Sequence, residues 1–466
     1  MTAPVVTSVD PYRGDRVFSA PAADAAATAD AVRRAAAAQP AWAARPVAER
    51  AAALEAFADR VERDAGPLAG LLVREVGKRR VDADGEVAWT VVSARWYAAH
   101  PPAEERVGEA RVVRRPIGVV AAITPWNVPL ITPAWKWLPA LVAGNAVVWK
   151  PSERATAVAL AAHEHLLAAG VPADVMQVLP GAAETASALA ADERVGVVHF
   201  TGSEPAGRAL AALAAPRFAR VALEMSGLNP AIVLADADLD LAADCIVACA
   251  TALAGQKCTA TRRVLVDASV AEPLSERLVA RIAGLRMGDP RDPATDVGPL
   301  IGPDARDAFE AELARACAAG AQVLARAPMP NAAGSAPADE PSPVAGSAPA
   351  LFAPALVARL APDDPLRVRE LFAPVVSLDT FSTPGEAWAM ANAAPYGLSA
   401  AVYGRDPERL AEAAASVRSG VLAVNRRGDD VGLEAPFGGR GRSGNGQAEG
   451  GAYVYAALTD LQAVYT

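Results

Sequence analysis

Cys258 stands in the stretch LAGQKCTATRR (253–263), between a lysine and a run of small polar residues. A thiolate there would be a nucleophile, able to add to a carbonyl carbon and carry an acyl group. In an alanine-rich chain it could equally be one more small apolar side chain of a core. Two further candidates sit where predicted strands end, the place where open α/β sheets bind ligands. WKPSE (149–153) closes one apolar run, and its Lys150 and Glu153 could each hydrogen-bond sugar hydroxyls. FTGSEPAG (200–207) closes another and opens a helix, whose free N–H groups and positive dipole suit a phosphate. Ser203 lies at that helix start; taken alone, it reads as a helix cap.

Other patterns carry less. Gly439, Gly441 and Gly444 in GGRGRSGNG match G-x-G-x-x-G, but no convincing strand precedes them and too little chain follows for a βαβ unit. They read as a flexible glycine loop. His163 and His165 project from different faces of a helix, unlike the HExxH metal pattern. Cys245 and Cys249 share a helical face without a second ligand pair nearby, so they read as packed small residues. No metal site is expected.

The elements that must position these groups are legible from periodicity. The first hundred residues read as helices, with apolar residues three and four apart in AADAAATADAVRRAAAAQPAWAA and VAERAAALEAFADRVERDAGPLAGLLVREVGK. The chain turns β-rich around ARVVRRPIGVVAAITPW. Strands and helices then alternate through NAVVWKPS, RATAVALAAHEHLLAAG, VMQVLPG, VGVVHFTGS and EPAGRALAALAAP. A second alternating region, about 228–424, holds PAIVLAD, TRRVLVDAS, VAEPLSERLVARIAGL, APVVSLDTF and LSAAVYG. Such repetition predicts an α/β fold, a parallel sheet with helices on both faces. The Ala-, Pro-, Gly- and Ser-rich segment 328–350 cannot bury enough surface to order itself and is expected to be a mobile loop.

Composition narrows the function classes. The 466 residues suffice for two or more domains. A net charge of −9 disfavours a nucleic-acid surface. No basic start leads into an apolar run, and no stretch is long and apolar enough to span a bilayer, so neither a secretion signal nor membrane association is expected. Four cysteines are too few for a disulfide scaffold and fit a reducing cytoplasm.

Seven motifs then fall in order: PWNVPL (125–130), GNAVVWKPSE (144–153), FTGSEPAG (200–207), LEMSGLNP (223–230), GQKCTA (255–260), RELFAPV (369–375) and PFGG (436–439). Together they resemble the NAD(P)-dependent aldehyde dehydrogenase superfamily, over nearly the whole chain. The resemblance implies a Rossmann-like cofactor domain (1–102 and 117–226), an α/β catalytic domain (227–438), and a small β extension (103–116 and 450–466) that pairs copies into a homodimer or homotetramer. It makes Cys258 the nucleophile, Asn127 the side-chain donor to the oxyanion, Glu224 the general base of thioester hydrolysis, and Lys136 part of a proton relay. It places Trp126, Lys150, Ser152, Glu153, Ser203, Glu370 and Phe372 at the cofactor. A carboxylate at 153 suits two free ribose hydroxyls, which leans toward NAD, with NADP possible. Val128, Trp135, Ala252, Lys257 and Thr259 would line the substrate tunnel. Arg426 or Arg427 at its mouth could anchor a substrate carboxylate, and Asp429 or Asp430 a cation.

The implied activity is oxidation of a small-molecule aldehyde to a free acid. Glu224 matters here, because relatives that pass the acyl group to coenzyme A generally lack this glutamate. A coenzyme-A-acylating enzyme and a non-catalytic scaffold are the alternatives. The chain also departs from the pattern: Ser226 and Leu228 replace a glycine and a lysine, Ala373 replaces a glycine, and Ala448 takes the place of a glutamate. Glu449 is displaced from that glutamate by one residue, which leaves open whether Lys136 has its carboxylate partner.

Overall fold

The computed structural model describes residues 4–330 and 349–465. Most of the expected loop at 328–350 therefore lies outside the described residues. The first departure from the sequence reading is at the start. Val5–Val9 and Arg16–Pro21 pair as an antiparallel hairpin before the helices begin at Ala25. Its turn is closed by a hydrogen bond between the Asp10 N–H and the Asp15 carbonyl, with Gly14 at φ 79°.

The candidate residues hang on two sheets. The first has five parallel strands in the order Met176–Val178, Ala146–Lys150, Val119–Ile123, Val195–Thr201, Arg220–Glu224. Val119–Ile123 and Ala146–Lys150 are buried at every position, and both are apolar throughout except for Lys150 at the end of the second, as suits strands covered on both faces. The second sheet has seven strands: Gln322–Arg326, Ala355–Ala358, Val375–Phe381, Thr261–Asp267, Asn229–Val233, Ser399–Tyr403, Val421–Val424. Only its first pair is antiparallel. A third sheet is antiparallel and small, joining Glu105–Val107, Ala110–Pro116 and Thr459–Tyr465. It leaves Val107, Leu461 and Tyr465 largely exposed.

The helix Ile131–Ala143 is buried from Pro133 onward. Gly144, at φ 95°, ends it and sends the chain directly into Ala146–Lys150. A Cβ at Gly144 would approach the Ala43 backbone to 3.2 Å, in a conformation L-residues rarely adopt.

Candidate active site

Carboxyl ends of the first sheet converge on one crevice. Asn127 follows Val119–Ile123, Lys150 and Glu224 end their own strands, and Ser203 follows Val195–Thr201. Cys258 comes from the other side, in the loop before Thr261–Asp267. The crevice is thus a seam between two sheets, as expected of ligand sites in open α/β folds.

The Cys258 loop is pinned by its backbone. Asn229 Nδ2 donates to the Cys258 carbonyl at 2.7 Å and to that of Ala260 at 2.9 Å. Asn127 Nδ2 donates to the Gln256 carbonyl at 2.8 Å, which places the amide two residues from the thiol with one N–H to spare. The Cys258 N–H donates to no protein acceptor among the described residues. Just upstream, Leu253 and Ala254 both hold left-handed backbone, at φ 52° and 53°. Cys258 as a residue is half-buried, with its sulfur set among packed groups. Burial, with Glu370, Glu224 and Glu449 around it, pushes its pKa up to about 12, against the pull of Lys257. A proton acceptor is therefore needed to generate the thiolate.

Glu224 is 3% exposed and last in its strand. Its Oε2 accepts from the Gly439 N–H at 3.1 Å. Burial foremost, then the Glu449 charge, raises its pKa well above the ordinary carboxylate range, while Lys136 and the Gly439 bond oppose this. A carboxylate raised in this way is a stronger proton acceptor than an ordinary one. The glycines that supply the bond are not a flexible loop, contrary to the sequence reading. A Cβ at Gly439 would meet Ser443 backbone at 2.4 Å, and one at Gly444 would meet the Gly439 carbonyl at 2.7 Å. The turn is tight because only glycines fit there, and Gly444 bridges to Glu224 across it.

Lys136 is fully buried rather than a solvated helix charge. Despite the one-residue displacement in sequence, Glu449 reaches it: the Lys136 ammonium contacts Glu449 Oε1. The Glu449 backbone is held by paired bonds to Phe437 at 2.6 and 2.7 Å, which aims its side chain inward. His199, which sequence reasoning passed over, lies 2.8 Å from the same oxygen through Nε2.

At the cofactor side, Lys150 is buried and its Nζ lies 3.7 Å from Glu153 Oε2. Burial lowers the Lys150 pKa, against Glu153 and Glu184. Ser152 accepts from the Arg154 N–H. Ser203 occupies the cap position of Glu204–Ala214, but its side chain makes no capping bond. The first-turn N–H groups therefore have no side-chain acceptor there and stand open to an anion. Glu370 lies 3.7 Å from Arg262, and burial raises it to about 7. Phe372 packs edge-on to Trp126 at 5.8 Å, with Arg262 over its ring. An anion-accepting helix start, a lysine–carboxylate pair at a strand end and a second carboxylate nearer the thiol fit a dinucleotide.

On the substrate side, Trp135 donates to Ser93 and meets Phe437 edge-on, Val128 is half-buried, and Thr259 is buried. Ala252 and Arg427 line a surface cavity of about 410 Å³ with Arg79, Asp82, Ala248 and Arg281. Neither arginine of the mouth is free. Arg426 pairs with Asp430, and Arg427 binds Asp429 through two N–H groups at 2.8 Å. Asp429 also takes the Lys257 ammonium at 2.6 Å.

The sequence matches the model of the aldehyde dehydrogenase family over residues 2–464. It is 34% identical to a succinate-semialdehyde dehydrogenase of Paenarthrobacter nicotinovorans, over 89% of this chain and 90% of that protein. It is also 34% identical to an aminoacetaldehyde dehydrogenase of Pseudomonas aeruginosa, over 90% and 83%. The crystal structure of PnpE in complex with nicotinamide adenine dinucleotide superposes with a TM-score of 0.91, at 33% identity, covering 99% of this chain and 94% of that one. The α/β fold, the family match and these relatives agree: the chain belongs to the aldehyde dehydrogenase family and is an NAD(P)-dependent oxidoreductase of aldehydes.

Proposed function

We propose that the chain oxidises an aldehyde to the free carboxylic acid through a covalent intermediate on Cys258. The thiol gives up its proton to solvent water and its sulfur bonds to the carbonyl carbon, forming a tetrahedral adduct. The spare Asn127 N–H and the Cys258 N–H stabilise the oxyanion that develops. A nicotinamide cofactor held by Lys150, Glu153, Ser203 and Glu370 would supply the hydride acceptor as this adduct collapses to a thioester. Glu224 then takes a proton from water, the hydroxyl adds to the acyl carbon, and the thiolate leaves.

One observation carries the hydrolytic reading: Glu224 is a buried carboxylate, held by a backbone N–H and raised above the ordinary carboxylate range, in the field of Cys258. It is equipped to deprotonate water, which an enzyme passing its acyl group to coenzyme A would not need. On the same reading, residues 1–102 and 117–226 carry the cofactor, 227–438 the nucleophile, and the extension 103–116 with 450–466 pairs copies of the chain. Its exposed Val107, Leu461 and Tyr465 suit that.

The test is kinetic. Cys258→Ser should abolish NADH formation. Glu224→Gln should form NADH once per site and then turn over roughly 100-fold or more slowly, the usual loss for a missing general base. Normal steady-state turnover of Glu224→Gln, or turnover only with coenzyme A present, would overturn the reading.

A further inference from the structure

His199 is the fourth titratable group of the cluster around Glu224, and the reaction outlined above does not use it. It is fully buried on Val195–Thr201. In that register His199 stands opposite Ala222, and Thr201 opposite Glu224. Residues two apart share a sheet face, so His199 and Glu224 are diagonal neighbours on one face. On its other side His199 is opposite Ala122. Small residues on both neighbouring strands thus leave room for the ring.

The imidazole is aimed at Glu449. Its Nε2 lies 2.8 Å from Oε1, the same oxygen that Lys136 contacts. Neither ring nitrogen makes a hydrogen bond of good geometry among the described residues, so Nε2 meets Oε1 as a close polar contact and Nδ1 faces no partner. Burial, reinforced by the nearby Lys136 charge, holds its pKa below the ordinary histidine value. A neutral ring with its proton on Nε2 can donate to Glu449 without adding charge. Lys136 and Glu449 then neutralise each other, and Glu224 is left as the uncompensated carboxylate of the cluster.

We infer that His199 is a positioning residue for the hydrolytic step: it holds the Glu449 carboxylate between the imidazole and Lys136, and so fixes the charges that surround Glu224. The inference rests on Glu224 being the base. The groups facing this carboxylate pair are Lys136 from Ile131–Ala143, His199 itself, Tyr97 from Arg80–Ala99, and Cys258. Tyr455 packs against Tyr97, with ring centroids 6.4 Å apart. Among these, only His199 and Lys136 contact the Glu449 carboxylate. Without the imidazole, Glu449 loses one of its two close polar contacts and Lys136 is drawn more completely to it. Less of the lysine charge then reaches Glu224, which holds its proton to higher pH.

The experiment compares His199→Ala and His199→Gln in the full chain with NAD+, separating first-turnover NADH formation from steady-state turnover. Alanine should leave the first turnover within about twofold, lower the steady state roughly tenfold, and move the acid limb of kcat to higher pH. Glutamine, whose amide can donate to Glu449, should restore both the rate and the limb. An alanine variant with unchanged kcat and pH profile would overturn the inference. So would a glutamine variant that forms NADH normally in the first turnover yet fails like alanine. So would loss of the first turnover in both variants while the fold, by circular dichroism, is intact. The covalent reading fails on a different result, turnover that survives Cys258→Ser.

Discussion

The Lys136 ammonium and the Glu449 carboxylate touch inside the protein, their side chains 0% and 3% exposed. Breaking such a pair strands a charge in a place water does not reach. Lys136→Met should therefore cost about 3–5 kcal/mol of stability. The loss would appear as a lower urea midpoint. Adding Glu449→Leu to the same chain should recover part of it, because the stranded carboxylate is gone; equal midpoints for the single and double variants would show that the pair is not coupled.

Stability should fall on both sides of a pH window, for opposite reasons. Burial alone would raise Asp429, yet Lys257 and Arg427 hold it down to about 2. Its contribution is complete above the ordinary aspartate value and is lost as pH falls through about 2, about 2 kcal/mol in all. Glu370 has the opposite sign: burial raises it to about 7, so the folded chain holds a proton there that the unfolded chain has released. That contribution is complete at acid pH and is lost as pH rises from the ordinary glutamate value through about 7. Urea midpoints across pH should show Asp429→Asn flattening the acid side and Glu370→Gln the neutral side.

How the sequence relates to this site is clearest in three residues. Cys258, Asn127 and Glu224 were singled out because their short motifs resemble those of the family, and the structure carries them on strand ends and loops that meet at one crevice. Glu449 was only half legible. Counting along the chain puts it one residue out of place, but its side-chain direction is set by backbone pairing with Phe437, a contact made twelve positions away. His199 gave no signal at all. It sits inside VGVVHFTGS as one polar residue in an apolar strand, and only the register with Arg220–Glu224 puts it on the face of the base. The alternating strands and helices were read correctly from periodicity, whereas the opening hairpin is too short and too mixed in composition to stand out beside the long helices that follow. The glycines at 439–444 were misjudged because composition alone cannot tell a loose loop from one so tight that no Cβ fits.

Asp429 should tune which aldehydes the enzyme accepts. It is shared by Lys257, beside the nucleophile, and Arg427, which lines the outer cavity. Asp429→Asn removes the negative member and leaves both cations. Aldehydes with a distal carboxylate should then gain in kcat/KM and those with a distal ammonium should lose, each by roughly tenfold, the effect of about 1.4 kcal/mol. The change should shrink as salt is raised. Parallel assays with ω-carboxylated, ω-amino and neutral aldehydes check this; a uniform change across the three would mean that only structure was disturbed.

Gly439 offers the most direct test of how the base is held. Its N–H donates to Glu224, and its α-carbon has no room for a methyl group, since a Cβ would sit 2.4 Å from the backbone of Ser443. Backbone cannot yield as a side-chain tip can, so Gly439→Ala must push the 439–443 turn outward. The donor then leaves Glu224, which loses a bond that favours its ionised form. The acid limb of kcat should move to higher pH, while cofactor binding, proposed at Lys150 and Ser203 near other strand ends, should change little. Gly446→Ala is the control: its Cβ meets nothing within 4 Å, though its φ of 85° adds local strain. If Gly446→Ala shifts the limb as far as Gly439→Ala does, the effect comes from general loosening of the loop and not from the lost donor.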